Sequence, residues 1–240
     1  MTSPVTTQWI AVDAGGGASF DAYLARPPAG HGPGLVLFQE IFGVNEHIQA
    51  VAEQYALDGF VVLAPDVFWR QQRRVELGYV GEERQRGVTL AGAMKPDEVM
   101  ADMRASVAAL RARQEVGANK VGAIGYCMGG RLAFVAAATA GVDAAIAYYG
   151  GGIHDNLDKA AGINCPVLFH YAEHDDHISA AAVEKVRTAM RGKPFELHVY
   201  PGAMHGFNCW ARASYQAASS ALARGRSLHF LARHLFGLAG

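Results

Sequence analysis

The stretch Val121-Gly-Ala-Ile-Gly-Tyr-Cys-Met-Gly-Gly130 predicts an apolar strand that runs directly into a glycine-bounded turn with a cysteine at its tip. The spacing Gly125-x-Cys127-x-Gly129 is that of a nucleophile elbow, with sulfur in place of the usual serine oxygen. A residue at such a tip adopts a strained backbone conformation. Side chains two positions to either side would collide there, so both positions require glycine. The pattern therefore indicates Cys127 as the candidate nucleophile.

A helix is predicted directly after this turn, over residues 131–140. Its N-terminus would point at the sulfur of Cys127, where free backbone N–H groups and the helix dipole favour a thiolate and a developing oxyanion. Two other interpretations stay open: a small buried cysteine in a strand-to-helix turn, and a nucleotide-binding loop. Against the second, the stretch has neither G-x-G-x-x-G after the strand nor a Gly-Lys-Ser/Thr ending.

The length of 240 residues suits one α/β domain over residues 1–240, large enough to bury a core without disulfides or metal. No internal repeat or linker interrupts it. The three cysteines are odd in number and widely spaced, which favours reduced thiols over a disulfide framework or a zinc knuckle.

The charge balance narrows the classes of partner. A formal net charge of −1 gives no reason to expect nucleic acid or an anionic membrane surface. The first ten residues lack the basic and apolar regions of a signal peptide, and no apolar run approaches membrane-spanning length. We therefore expect a cytoplasmic protein with a small-molecule partner. It would be a monomer or a small homo-oligomer.

Strand and helix signals alternate along the chain. Strands are predicted at residues 8–13, 19–25, 34–40, 60–66, 121–126, 143–150, 167–171 and 195–200, the first two as a hairpin around three glycines. Helices are predicted from a cap at Asn45 to about 58, from a cap at Asp97 to about 114, and over 131–140, 180–190 and 214–235. Residues 67–96 are predicted to be an irregular excursion. The alternation predicts an α/β fold with a mostly parallel central sheet and helices on both faces, and ligands beyond the carboxyl ends of its strands.

An acid and a base follow two of these strands. Asp175 lies just beyond the strand at 167–171, and His205 lies just beyond the strand at 195–200. The order nucleophile, acid, histidine is that of the α/β-hydrolases. His205 would remove the thiol proton of Cys127 and later protonate the leaving group, while Asp175 would hold the tautomer of the imidazole. Asp176 is the alternative acid, and the Asp-x-x-Ile178 spacing favours Asp175.

The run Glu173-His-Asp-Asp-His177 could also be interpreted as a set of metal ligands. It lacks a His-x-His pair and the helical His-Glu-x-x-His of familiar hydrolytic metal sites. We therefore predict no metal site and no cofactor.

Four segments in order carry a family resemblance: Gln39-Glu-Ile-Phe-Gly-Val-Asn45, Gly125-Tyr-Cys-Met-Gly-Gly130, Tyr148-Tyr-Gly150 and His205-Gly-Phe207. With them the chain resembles the dienelactone hydrolases (carboxymethylenebutenolidases), a family of the α/β-hydrolase fold. The resemblance spans almost the whole sequence.

The resemblance implies roles for particular residues. Cys127, Asp175 and His205 would form the catalytic triad. Glu40 would be the additional carboxylate of the family, which contacts the resting thiol and helps to deprotonate it when substrate arrives. The backbone N–H groups of Ile41 and Met128 would form the oxyanion hole.

The substrates of the family carry a carboxylate beside the lactone, which arginines bind. Arg86 matches one of these arginines. The other lies four residues after the histidine, where this chain has Cys209, so Arg212 is the candidate substitute. A tyrosine of the family is replaced by Leu90, and Phe207 is a candidate for the pocket wall. Since cysteine cannot replace bidentate recognition of a carboxylate by arginine, these differences affect specificity more than chemistry.

The function predicted from the sequence is a cysteine-dependent hydrolase that opens a small lactone or ester through an acyl-enzyme, with dienelactone converted to maleylacetate. One alternative is a general carboxylesterase or lactonase acting on a less acidic substrate. The other, of a different class, is a non-catalytic binding or redox-sensing protein with a reactive thiol at Cys127.

Overall fold

The computed structural model describes residues 4–238, and in this part of the chain all eight strands belong to one sheet. They are β1 (Thr6–Gly15), β2 (Ala18–Arg26), β3 (Gly34–Phe38), β4 (Val61–Pro65), β5 (Val121–Tyr126), β6 (Ala144–Tyr148), β7 (Val167–Ala172) and β8 (Phe195–Tyr200). Their spatial order is β1-β2-β4-β3-β5-β6-β7-β8. β1 and β2 form an antiparallel hairpin, and β2 pairs antiparallel with β4. The remaining strands, in the spatial order β4-β3-β5-β6-β7-β8, are parallel to one another.

Helices cover both faces of the sheet. They are α1 (Glu46–Leu57), α2 (Gly81–Gly92), α3 (Pro96–Arg111), α4 (Met128–Thr139), α5 (Ala180–Ala189) and α6 (Ala217–Leu235). The helices on the two faces can be identified along β5, because successive residues of a strand point to opposite faces of the sheet. Gly122 lies against Leu235 of α6, whereas Gly125 lies against Gly129 of α4. α3 contacts α4 on one face, and Arg224 of α6 reaches the end of α1 at Asp58 on the other.

The middle of the sheet is buried on both sides, which is why its strands consist of continuous apolar runs. Every residue of β3, β4, β5 and β6 is buried. The prediction of an α/β fold with a mostly parallel sheet is therefore confirmed. The carboxyl ends of β3, β5, β7 and β8 lie near one another at one edge, and the candidate site is at this edge.

The prediction that residues 67–96 lack regular structure is wrong over part of its length. α2 occupies Gly81–Gly92, and Gly87 is its one buried residue. A helix that lies on the surface in this way has no apolar stripe of helical period, so the sequence carries no periodic signal for it.

Three helix starts also differ from the predictions, and one of them is that of α6, which begins at Ala217 and not at residue 214. α3 begins at Pro96 after Lys95, so Asp97 lies in its first turn and is not its cap. Proline at the first position of a helix loses nothing, because its missing N–H would have no partner there. α4 begins at Met128, immediately after Cys127. The cap at Asn45 is confirmed, since its Oδ1 accepts a hydrogen bond from the N–H of Ile48 at 3.3 Å.

Candidate active site

Cys127 occupies the sharp turn between β5 and α4. Its φ of 56° and ψ of −118° lie outside the regions that L-residues commonly adopt. The flanking glycines permit the turn. A Cβ at Gly125 would lie 2.0 Å from the carbonyl oxygen of Gly129, and a Cβ at Gly129 would lie 2.2 Å from that of Phe38. The elbow therefore needs glycine at both positions because backbone atoms occupy the space of a side chain.

His205 and Asp175 are held together beyond the ends of β8 and β7. Nδ1 of His205 lies 2.9 Å from Oδ2 of Asp175, and both side chains are almost fully buried. The other oxygen of Asp175 accepts hydrogen bonds from the N–H groups of His177 at 2.9 Å and Ile178 at 3.1 Å. Asp176 instead points to solvent beside His177. The structure thus brings Asp175, and not Asp176, to the imidazole.

The hydrogen bond between His205 and Asp175 also fixes the position of the other ring nitrogen of His205, Nε2. Nε2 is buried and has no hydrogen-bonding partner within residues 4–238. Burial lowers the pKa of His205, but interactions with the Cys127 sulfur and with Asp175 outweigh it and raise the pKa to about 10. Because Asp175 occupies Nδ1, Nε2 is the ring nitrogen that remains available to another group.

Glu40 lies directly after β3 and forms an ion pair with Arg212. Nη1 of Arg212 donates to Oε1 of Glu40 at 3.1 Å, and the carboxylate is 1% exposed. Burial raises the pKa of Glu40, although the charges of Arg212 and His205 act in the opposite direction. Oε2 of Glu40 is buried without a hydrogen-bonding partner within residues 4–238. The hydrogen-bonding partner of Glu40 in this structure is thus Arg212, and the contact of Glu40 with the resting thiol stays a prediction.

Arg212 reaches Glu40 because Gly206 leaves room for it. A Cβ at Gly206 would lie 2.5 Å from Nη1 of Arg212, and the φ of Gly206 is +81°. The loop that follows the histidine therefore brings an arginine to the site from three residues beyond Cys209. Cys209 itself is fully buried, and burial, together with the charge of Glu40, raises the pKa of its thiol to about 12.

Tyr149 is a residue of the site that sequence reasoning did not assign a role. Its ring packs edge-on against His205 at 5.0 Å, and its φ of 34° places it in the left-handed region. Its hydroxyl is buried and has no hydrogen-bonding partner in the part of the chain that the structure describes. Burial and the neighbouring Glu40 raise its pKa well above the usual value, so this hydroxyl keeps its proton. The signal in the sequence was the segment Tyr148-Tyr-Gly150.

The two candidate oxyanion donors lie on different elements. Met128 is the first residue of α4, where a backbone N–H has no acceptor within its own helix. Ile41 follows Glu40, and α2 packs on its carbonyl group. A Cβ at Gly87 of α2 would lie 2.4 Å from the oxygen of Ile41.

Two of the predicted substrate-binding residues, Arg86 and Phe207, have their contacts within the protein. Arg86 is exposed on α2, and its Nη2 donates to the side-chain oxygen of Gln72. Phe207 is 0% exposed, with its ring centroid 5.0 Å from that of Tyr200 and 5.5 Å from that of Tyr149. Phe207 is therefore part of the core and supports the wall of the site from behind.

Neither a metal site nor a membrane span is found within residues 4–238. No three His, Cys, Asp or Glu side chains of this range are grouped closely enough to hold a metal ion. Nor does any helix of this range have the length and apolar character needed to cross a bilayer.

The strand order, with a nucleophile elbow after β5 and an acid and a histidine after β7 and β8, defines the class of α/β-hydrolases. Within this class, residues 20–235 match the Dienelactone hydrolase family, and the chain belongs to that family.

Individual relatives agree with this assignment. A protein of Azospirillum brasilense assigned to the carboxymethylenebutenolidases is 37% identical, with 94% of this chain and 98% of the relative covered. The carboxymethylenebutenolidase of a Pseudomonas sp. is 34% identical, with 95% of each chain covered. The crystal structure of a Klebsiella pneumoniae protein assigned to the dienelactone hydrolases superposes with a TM-score of 0.86 at 30% identity, over 95% of this chain and 99% of that chain.

The predicted family and the predicted enzyme class are thus confirmed. The protein is a hydrolase of ester or lactone bonds.

Proposed function

We propose that the protein hydrolyses a small lactone or ester through an acyl-enzyme on Cys127. The observation that supports this most directly is the Asp175–His205 pair at 2.9 Å, which leaves Nε2 of the histidine without a partner among residues 4–238 and free to serve the sulfur. A thiolate attacks carbonyl carbon readily, so this pair needs only to move a proton.

The reaction has two halves. The sulfur of Cys127 forms a bond to the carbonyl carbon, its proton passes to Nε2 of His205, and the carbonyl oxygen becomes an oxyanion held by the N–H groups of Met128 and Ile41. The C–O bond then breaks, and the leaving oxygen takes the proton from His205. In the second half water attacks the thioester and His205 accepts a proton from it. The S–C bond then breaks, and His205 returns this proton to the sulfur, which restores the thiol.

The leading substrate is dienelactone, opened to maleylacetate. Relatives that cover nearly the whole chain are named carboxymethylenebutenolidases. Arg212 offers the positive charge that a carboxylated substrate requires: its side chain is 16% exposed, and only Nη1 is engaged by Glu40. Its remaining N–H groups can bind the carboxylate of the substrate.

A neutral ester or lactone is the second candidate substrate, because both candidate arginines already have partners within the protein. Arg212 pairs with Glu40, and Arg86 is bonded to Gln72. If neither arginine changes partner, neither of them is a free cation for a substrate carboxylate.

The proposal is tested by following the ultraviolet absorbance of a dienelactone with wild-type protein, Cys127→Ala and Cys165→Ala, and with a neutral aryl ester as second substrate. Cys165 is a matched control, since it is buried and its sulfur lies 3.9 Å from the carbonyl oxygen of Ala137, away from the site. We expect Cys127→Ala to lose at least about a thousandfold in kcat, as for loss of a nucleophile. Cys165→Ala should keep wild-type activity.

Each outcome separates the candidates. Dienelactone opening with little cleavage of the neutral ester supports the leading substrate, and the reverse supports the second. Equal activity of Cys127→Ala and wild type would exclude Cys127 as the nucleophile. Stoichiometric labelling of Cys127 without turnover of either substrate would favour a reactive-thiol protein of another class.

A further inference from the structure

A cavity whose lining contains none of the candidate catalytic residues lies between α2, α3, α4 and the 3₁₀ turn Leu157–Gly162. Its volume is about 490 Å³, within the range of roughly 300–1,000 Å³ that is typical of small-molecule sites. Most of its wall is apolar, formed by Met94, Val99, Met100, Met103, Leu132 and Val135. Methionine side chains adapt their shape to a ligand, and such a wall favours a hydrocarbon over water.

Three charged side chains complete the lining, and their pairing decides the charge of an occupant. Lys159 is bound to the neighbouring Asp158 at 2.6 Å. The side chain of Arg131 has neither a carboxylate nor another hydrogen-bonding partner within residues 4–238, and its guanidinium rests against Gly152, where a Cβ would lie 2.9 Å from Nη1. Asp97 also lines the cavity and disfavours a second negative charge. Among the described residues, the cavity thus offers one unpaired cation beside an apolar wall.

We propose that this cavity is a binding site for an aliphatic monocarboxylate. The carboxylate would form a bidentate pair with the guanidinium of Arg131, and the chain would lie along the methionine wall. Arg131 is four residues after Cys127 on α4, so the occupant would contact the helix that carries the candidate nucleophile. No bond is made or broken in this site, and the proposal is independent of the proposed catalytic function.

Isothermal titration calorimetry of the whole protein tests separately whether binding requires the negative charge of the ligand and whether it requires the hydrocarbon chain. The probes are decanoate, decylamine and acetate, each below the concentration at which micelles form. We expect saturable binding of decanoate and none of the other two, because decylamine reverses the charge and acetate lacks the chain. Absence of saturable decanoate binding, or equal binding of decylamine, would overturn the proposal.

Arginine variants locate the binding. Arg131→Met should weaken decanoate binding about tenfold or more, as for loss of a charge-assisted hydrogen bond. Arg104→Met is the matched control on α3, where Arg104 is exposed and does not line the cavity, and it should bind as the wild type does. If Arg212→Met weakened binding and Arg131→Met did not, the ligand would lie in the catalytic cleft and the proposal would fail.

A variant that fills the cavity provides an independent test. Ala91→Trp adds an indole to the wall without altering charge, and we expect it too to reduce decanoate affinity at least about tenfold, by taking the space of the chain. Circular dichroism and thermal unfolding verify that each variant is folded. Wild-type affinity in folded Ala91→Trp would contradict the assignment.

Discussion

Glu40 and Arg212 carry opposite charges that are both largely buried, and each charge stabilises the other. The carboxylate is 1% exposed and the guanidinium 16%, so neither is well solvated. Removing one partner of such a pair leaves the other charged in a medium of low dielectric, which costs more than the pair itself contributes. Arg212 is also the residue proposed above to bind a substrate carboxylate. Under that proposal, the stability of the ion pair and the specificity of the enzyme are linked.

Glu40→Gln is expected to lower the free energy of unfolding by about 3 kcal/mol, since it leaves the charge of Arg212 buried without a counter-ion. Combining it with Arg212→Met should recover a large part of this loss. Urea unfolding of the two single variants and the double variant measures the coupling.

The control is Arg187→Met, which breaks the ion pair of Arg187 with Glu184. The side chain of Arg187 is 40% exposed and that of Glu184 is 64% exposed. Its cost should be below about 1 kcal/mol. A loss in Glu40→Gln no larger than that in Arg187→Met, or full additivity with Arg212→Met, would contradict the interpretation.

At the scale of elements, α2 is the helix that connects the surface to the site. It is exposed along most of its length, and Gly87 is where it approaches the backbone of the candidate oxyanion hole. The position of Ile41 thus depends on the absence of a side chain at Gly87 of α2. Loss of a single oxyanion donor typically costs about 10²- to 10³-fold in kcat.

Gly87→Ala is expected to lower kcat for ester hydrolysis about tenfold or more, because its Cβ would displace the carbonyl of Ile41 and rotate the peptide that follows Glu40. The measurement is steady-state kinetics on the substrate that the wild type cleaves. Gly92→Ala is the control in the same helix, since a Cβ there would have no atom within 4 Å. Equal kcat values for the two variants would show that α2 does not position Ile41.

An element could be predicted from the sequence where its burial or backbone geometry restricts the residue types at its positions. The buried strands and the elbow were predictable because continuous apolar runs and glycines at fixed spacing are compatible with few local structures. α2 was missed because only Gly87 of it is buried. The contact of Arg212 with Glu40 spans 172 positions and depends on the open side of Gly206, so no local pattern reveals it. Phe207 could not be assigned to core or pocket from its residue type alone.

The pH range in which the whole molecule is stable depends on imidazoles that fold in the neutral form. Burial lowers the pKa of His170 well below its usual value, and its two nitrogens are used by Tyr200 at 2.8 Å and Ser227 at 3.0 Å. Burial, with the charge of Arg212, lowers the pKa of His47 to about 4. Unlike His170, His47 has no hydrogen-bonding partner for either nitrogen within residues 4–238, and its ring packs against Trp210 at 4.1 Å.

Replacing His47 by phenylalanine is expected to make the protein more resistant to acid. Between pH 6.5 and 4 the unfolded chain binds a proton at His47 that the folded chain does not, so the free energy of unfolding falls as the pH falls. The loss from this one group approaches about 1.4 kcal/mol per pH unit. His47→Phe removes this contribution.

Urea unfolding at several pH values between 4 and 7 provides the measurement. His31→Phe is the control, because His31 lies exposed in a loop, and it should keep the wild-type slope. The same slope in His47→Phe and wild type would show that His47 does not contribute to acid sensitivity.

The site is assembled from distant parts of the chain, which sets an order of events during translation. Cys127 leaves the ribosome 78 residues before His205, at the difference of the two residue numbers. At about 5–20 residues per second this interval is roughly 4–16 s. During that time the nascent chain carries Cys127 without His205, and β8, which precedes the histidine, has not yet joined the sheet. Under the proposed mechanism, the thiol therefore has no base until the last strand docks.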